Sequence, residues 1–281
     1  MLIKPTLPFL ETMITQACNI SCTGCTNYSD LKHNGYVTWD QGREELSAWL
    51  ERIDIPDFGI MGGEPLLNPE CEQWIGGVRD LMPHSQIRFT TNGLLLTEDS
   101  RIIDKLCEIG NCVLKITVHV DDARLETVIE SVRKRYAWSP VREFGIDRWI
   151  TGNNFRFQIN RPHVFYKTFL GSYADMRPHA SDPVAAFDMC IQQTCPLLYQ
   201  SKIYKCSSSG LLDGVLARRQ YPNRAQWEKY LIEGLSVTDS DQALDSFIDN
   251  FGKHNNICSM CPSKQDTESI LDHYQYVKFK K

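Results

Sequence analysis

Between residues 10 and 160, short apolar runs alternate with amphipathic helical stretches, and three of the runs end in loops of cysteine, glycine or asparagine. Few folds accept this pattern. Strands alternating with helices form a parallel sheet covered by helices, and right-handed crossovers bring the C-terminal ends of the strands to one face. Strands are expected at residues 10–16, 58–61, 86–91, 113–120 and 154–160, the last reached through a loop containing Gly145 and Gly152. Thr38 and Gln41 read as a capping box that opens a helix with Leu46, Trp49, Leu50 and Ile53 on one face. Asn68-Pro69, Thr97 and Asp121-Asp122 start three more helices, and Gly110 stops the second of these. A sixth strand is not evident, and residues 164–170 are the best candidate.

The later strands add a constraint. Arg88, Thr90 and Asn92 alternate with Ile87 and Phe89; Lys115, Thr117 and His119 alternate with Leu114, Ile116 and Val118. Arg156, Gln158 and Asn160 alternate with Phe155, Phe157 and Ile159. Helices cover one face, so the apolar set should meet them and the polar set should line the other side. The expected fold is α/β, a partial (β/α)6 TIM-like barrel with a polar interior. A doubly wound sheet, or an open sheet with one wet face, is the plainer alternative.

The chain has 281 residues and a formal charge of −5, which argues against a nucleic-acid partner. No apolar run reaches bilayer length and the first ten residues are no signal peptide, so a cytoplasmic location is expected. Clustered cysteines in a reducing compartment more often bind metal than form disulfides. Cys18, Cys22 and Cys25 follow the first strand at C-x3-C-x2-C spacing. Three thiolates can hold three corners of a four-iron cluster and leave the fourth iron open. Taken alone, the triplet also reads as a zinc site with His33 as fourth ligand. A second group comprises Cys190, Cys195, Cys206, Cys258 and Cys261; Cys71, Cys107 and Cys112 lack ligand spacing and read as small buried hydrophobes.

With Gly62-Gly63-Glu64-Pro65 after the second strand and Thr91-Asn92-Gly93 after the third, the cysteine loop resembles the radical S-adenosylmethionine (SAM) superfamily over residues 10–160. The resemblance implies a [4Fe–4S] cluster on Cys18, Cys22 and Cys25, with SAM on the open iron. It also implies an external electron donor such as flavodoxin or ferredoxin. Gly62 and Gly63 would admit the methionyl part, and Glu64 would accept from its ammonium. Thr90, Asn92, Thr117 and Arg156 would contact ribose or carboxylate. The family's aromatic residue before the last cysteine is replaced by Gly24, and Tyr28 is the candidate to take its place.

Cys190, Cys206, Cys258 and Cys261, around a hairpin turned at Gln200-Ser201, resemble the family's twitch module, a short form of the SPASM domain that carries an auxiliary [4Fe–4S] cluster. Cys195 is the understudy for Cys190, and a four-thiolate zinc is the rival metal. Residues 1–185 would form the SAM core and 186–281 the auxiliary domain, a hairpin with helices from Asn223 and near Thr238. This layout resembles radical SAM dehydrogenases that oxidise an aminocyclitol alcohol. A small polar substrate is therefore expected, a sugar or cyclitol, with His119 or Lys115 as the base. Peptide modification and epimerisation (with a thiol such as Cys195 as hydrogen donor) are rivals within the class. A non-catalytic metal-stapled binding protein is the rival outside it.

Overall fold

The computed structural model describes residues 4–22, 24–31, 34–97, 100–120, 122–135, 139–143, 146–150, 155–161, 164–219, 221, 223–264, 270–272 and 277–279. Five parallel strands, Leu10–Met13, Asp57–Met61, Gln86–Thr91, Cys112–Thr117 and Arg156–Asn160, lie side by side in chain order. Helices Trp39–Leu50, Cys71–Leu81, Arg101–Ile109 and Ala123–Arg135 supply the crossovers. The capping box forms: Gln41 N–H donates to Thr38 Oγ1 at 3.3 Å, and Thr38 N–H to Gln41 Oε1 at 3.1 Å. Ile60, Phe89, Leu114, Ile116, Phe157 and Ile159 join Trp49, Ile75, Ile103 and Ile129 in one core between strands and helices. On the last three of these strands the opposite set is mostly polar, as the alternation required. Cys71 and Cys112 are buried in this core and Cys107 packs at its edge.

The strand register stacks the inward residues in layers. Glu11, Gly59, Arg88 and Arg156 belong to one level, Met13 and Met61 with Thr90, Lys115 and Gln158 to the next, and Thr117 with Asn160 to the level nearest the strand ends. The result is a curled, unclosed, parallel-rich sheet, a partial TIM-like barrel.

The sixth parallel strand corrects an expectation. It is Leu197–Tyr199, paired with Leu10–Met13 on the far side from Asp57–Met61. Val164–Tyr166 is a strand, but it pairs antiparallel with Ile270–Asp272 in a separate two-stranded ribbon. The expected hairpin of Leu197–Tyr199 with Lys202–Tyr204 is present, and its turn places both Gln200 (φ 51°) and Ser201 (φ 63°) in the left-handed region. That is the geometry of a primed turn, which usually asks for glycine. Here the Ser201 carbonyl accepts from Trp49 Nε1 at 3.1 Å, which ties the turn to the first helix.

Leu235–Ser236 then adds to Lys202–Tyr204. At the other edge, the stretch expected as a loop is an antiparallel hairpin of Ser139–Glu143 with Ile146–Ile150, which extends the sheet to ten strands. The helix expected from Asn223 is a 3-10 helix, Arg224–Tyr230, whereas the one near Thr238 is an α-helix, Asp241–Asp249, capped by Ser240. An unexpected helix, Ser207–Arg219, follows Cys206 and packs Leu211, Leu212, Val215 and Leu216 into a second core with Trp227, Tyr230, Ile257 and Met260. That core includes Met13, Met61 and Leu197.

Candidate active site

A cavity of about 510 Å³ opens at the C-terminal ends of the parallel strands. Cys18, Cys22 and Cys25 line it from the loop after the first strand, Gly62 and Gly63 from the second, and Thr90 and Asn92 from the third. Lys115, Thr117 and His119 line it from the fourth and Asn160 from the fifth. Cys190, Cys206 and Cys261 of the second group line the same cavity. Sequence-distant motifs thus meet at one rim, as parallel crossovers demand. A hollow of about 570 Å³ beside Asp241–Asp249 contains no cysteine.

Local hydrogen bonds shape the first cysteine loop. Cys25 N–H donates to the Cys22 carbonyl at 3.1 Å and Tyr28 N–H to the Cys25 carbonyl at 2.9 Å, with Gly24 at φ 75° between them. Asn92 Nδ2 donates to Asn19 Oδ1 at 2.7 Å and lies 3.9 Å from Cys18 Sγ, which joins the third rim loop to the first. His119 Nδ1 lies 3.9 Å from Cys22 Sγ, so this histidine stands against the loop as well as facing the cavity.

Several placements revise the expected roles. A Cβ on Gly63 would lie 2.3 Å from the Ala17 carbonyl oxygen, and one on Gly62 2.6 Å from that of Thr15. These glycines let the second loop close on the first, through Gly63 N–H to Thr15 O and Glu64 N–H to Ala17 O, both 2.8 Å. Glu64 is fully buried and does not line the cavity. Its carboxylate accepts from Thr91 Oγ1 (2.6 Å), Asn92 N–H (2.8 Å) and Leu66 N–H (3.1 Å). Burial pushes its pKa up to about 7 against the pull of those three bonds.

Glu64 therefore holds the turn that presents Asn92. Glu64→Ala would strand three buried donors and is expected to lower stability by about 2–3 kcal/mol, measured by urea unfolding, with Asn92 displaced from Asn19. Arg156 sits two layers below the rim and does not line the cavity. Tyr28 turns away from it: the ring is buried in the second core and its Oη donates to the Ser208 carbonyl at 3.3 Å. His33 lies outside the described residues.

In the second group the thiols of Cys190, Cys206, Cys258 and Cys261 are electrostatic neighbours. Burial, then mutual repulsion, pushes Cys190 up to about 11 and Cys261 well above the usual thiol range. Cys258 is not in the cavity wall but stands directly behind Cys261, whose N–H donates to its carbonyl at 3.0 Å. Cys195 is outside the cavity wall and lies in the field of Glu11 and Lys115, with Cys190 and Cys206 also in reach.

A bridge of Gln192 Nε2 to Ser207 Oγ (2.9 Å) and Thr26 Oγ1 (3.4 Å), with Ser208 Oγ to the Thr26 carbonyl (3.1 Å), ties the two cysteine groups together. No sequence signal marked it. The wall is also less polar than expected, because residues 183–192 bring Ala186, Met189 and Ile191 to the side facing Lys115 and Asn160. Ile191 is 76% exposed there.

Residues 12–144, which carry the first cysteine loop and the Gly-Gly-Glu-Pro and Thr-Asn-Gly turns, match the Radical SAM superfamily. This part of the chain is similar to radical SAM domains. The match ends before the Arg156–Asn160 strand and before the second cysteine group. GTP 3′,8-cyclase of Rhodopirellula baltica is 28% identical over 146 residues, 51% of this chain and 37% of that one. The enzyme of the same name from Peptoclostridium acidaminophilum is 31% identical over 99 residues, 33% of this chain and 29% of that one. The chain thus spans well under two thirds of these relatives' length. The crystal structure of BtrN in complex with AdoMet and 2-DOIA aligns over 96% of this chain and 100% of that one, at 14% identity and TM-score 0.47.

A radical SAM domain implies a [4Fe–4S] cluster and SAM, and the donor set tests the fit. Among the described residues no three His, Cys, Asp or Glu side chains are gathered tightly enough for a single ion; the thiols stand apart around the cavity. Burial, with Asp30 and Cys18 adding to it, pushes Cys25 up to about 12. Buried, protonated thiols that face a common space become ligands when a cationic centre displaces their protons. The first group offers three thiols that line one cavity, and this fits a cluster with one corner left to a second ligand. No helix among the described residues is long and apolar enough to cross a membrane.

Proposed function

We propose that this chain is a radical SAM enzyme whose two cysteine groups serve one substrate cavity. The observation that carries the reading is that Cys18, Cys22 and Cys25 line the same cavity as Cys190, Cys206 and Cys261. Cys18, Cys22 and Cys25 would hold the first [4Fe–4S] cluster; Cys190, Cys206, Cys258 and Cys261 would hold an auxiliary one, with residues 1–185 and 186–281 as core and auxiliary domain. Bound there, a reduced cluster with SAM supplies a 5′-deoxyadenosyl radical that takes a hydrogen atom from carbon.

The protein's own part is to orient and to exclude water. Thr90, Asn92 and Thr117 would bind the polar parts of SAM, and Gly62 and Gly63 keep the second rim loop close to the first. Lys115 and Asn160 are placed to hold a substrate oxygen, and His119 or Lys115 would take the proton that leaves an alcohol on oxidation. An auxiliary centre held by Cys190, Cys206, Cys258 and Cys261 would supply an electron acceptor closed to direct contact with substrate. A hydroxylated substrate such as a sugar or cyclitol suits the Lys115 and Asn160 wall. Peptide modification is the second reading, favoured by the apolar side at Met189 and Ile191. GTP is not carried over from the relatives, because the chain spans only 37% of the first of them.

Anaerobic reconstitution tests the proposal. The expected result is about eight irons per chain and 5′-deoxyadenosine released on adding dithionite and SAM. Bound zinc without cleavage would instead mark a metal-stapled binding protein.

A further inference from the structure

The cavity has one aromatic wall that none of the assigned motifs supplies. Among the described residues Tyr166 contributes the only phenol or indole ring to the lining. The other aromatic ring in the lining, His119, is held against Cys22 at 3.9 Å. The cysteine loop cannot raise a ring of its own near its last ligand. Gly24 has φ 75°, and a Cβ built on it would lie 2.7 Å from Lys167 Cγ, so the stem of Lys167 fills that space. Lys167 follows Tyr166 directly, and the same close approach brings Tyr166 to the cysteine loop.

Tyr166 is carried outside the barrel sheet. Its strand, Val164–Tyr166, pairs with Ile270–Asp272 at Tyr166↔Ile270, and a few residues later Val277–Phe279 pairs with Ile20–Cys22 at Val277↔Cys22. The strand that carries Tyr166 and the strand inside the cysteine loop are thus each backed by an antiparallel partner, Ile270–Asp272 and Val277–Phe279.

We infer that Tyr166 is the platform on which the adenine of S-adenosylmethionine lies. The inference rests on the reading that this cavity takes SAM. A purine has two apolar faces that need cover, and sequence-tolerant stacking on one aromatic ring is a common way to provide it. The methionyl half would then point to the rim at Gly62 and Asn92, across the cavity.

The test uses the iron-loaded, full-length protein and anaerobic calorimetry with three probes: S-adenosylhomocysteine, 5′-methylthioadenosine and methionine. Tyr166→Ala and Tyr166→Leu should weaken the two adenine-containing probes about tenfold and leave methionine within twofold. Tyr166→Phe should bind all three like the parent. The visible spectrum and iron content of each variant report whether the cysteine loop is intact. Unchanged affinity of Tyr166→Leu for 5′-methylthioadenosine would overturn the inference. So would an equal loss for methionine, which would make Tyr166 a support for the whole cavity. If the parent protein loads iron but binds S-adenosylhomocysteine not at all, the reading of the cavity falls, and the inference with it.

Discussion

Changing Cys18, Cys22 and Cys25 together to alanine is expected to abolish 5′-deoxyadenosine formation and to halve the reconstituted iron, from about eight to about four per chain. The loop itself should survive. Its shape comes from backbone bonds at Cys25 and Tyr28 and from Asn92 to Asn19, none of which needs a thiol. Ile20–Cys22 also keeps its backbone pairing with Val277–Phe279. What the variant loses is three thiols that line the cavity at the open end of the barrel. The remaining iron should report by EPR as a single cluster held by the second cysteine group. Loss of all iron would remove the iron–sulfur reading of that second group, and cleavage that persisted would remove the assignment of the first.

Glu11→Gln is expected to flatten the pH dependence of stability and to stabilise the protein at pH 8. Glu11 points into the barrel from the first strand, 8% exposed, level with Gly59 and Arg88. Burial pushes its pKa from 4.5 up to about 8, although Lys115 and Arg88 pull the other way, and the Cys195 thiol adds its own field nearby. In the unfolded chain the carboxyl ionises near pH 4.5, while in the folded chain it keeps its proton to about pH 8. Between those values the folded state binds more protons, so stability falls as pH rises, by up to about 1.4 kcal/mol per unit. Over the whole interval the loss is on the order of 5 kcal/mol. Anaerobic urea midpoints at pH 5, 6.5 and 8 for parent and variant give the difference directly. Parallel pH trends in the two proteins would show that Glu11 is already ionised when folded.

The parts of this molecule legible in its sequence are those whose signal is local. Thr38 with Gln41 marks a helix start within four residues, and the three rim loops follow strands of clear period. Placing those loops together needed only the handedness of crossovers. Long-range choices were not legible. Leu197–Tyr199 and Val164–Tyr166 are both short apolar runs, and only packing decides which one joins Leu10–Met13. Gly145 and Gly152 made the stretch before the fifth strand read as a loop, yet Ser139–Glu143 and Ile146–Ile150 pair as strands, and Pro140 lies on the edge one, where its missing N–H is tolerated. The helix Ser207–Arg219 opens on three serines, which carry no apolar signal although all three are buried. Glu64 shows the same limit at the site. The motif was readable, but the direction of its carboxylate depends on Thr91 and Asn92, and these turn it away from the cavity.

The strand that completes the barrel beside Leu10–Met13 comes late in synthesis. Thr12 Oγ1 donates to the Leu198 carbonyl across 186 residues, so a ribosome adding about 5–20 residues per second needs roughly 10–40 s to deliver the partner. Throughout that interval the nascent chain shows an unpaired edge next to three reactive thiols. Iron delivery to the first loop is therefore best timed after residue 199 has left the exit tunnel, and slow translation before that point should favour misassembled, oxidised chains.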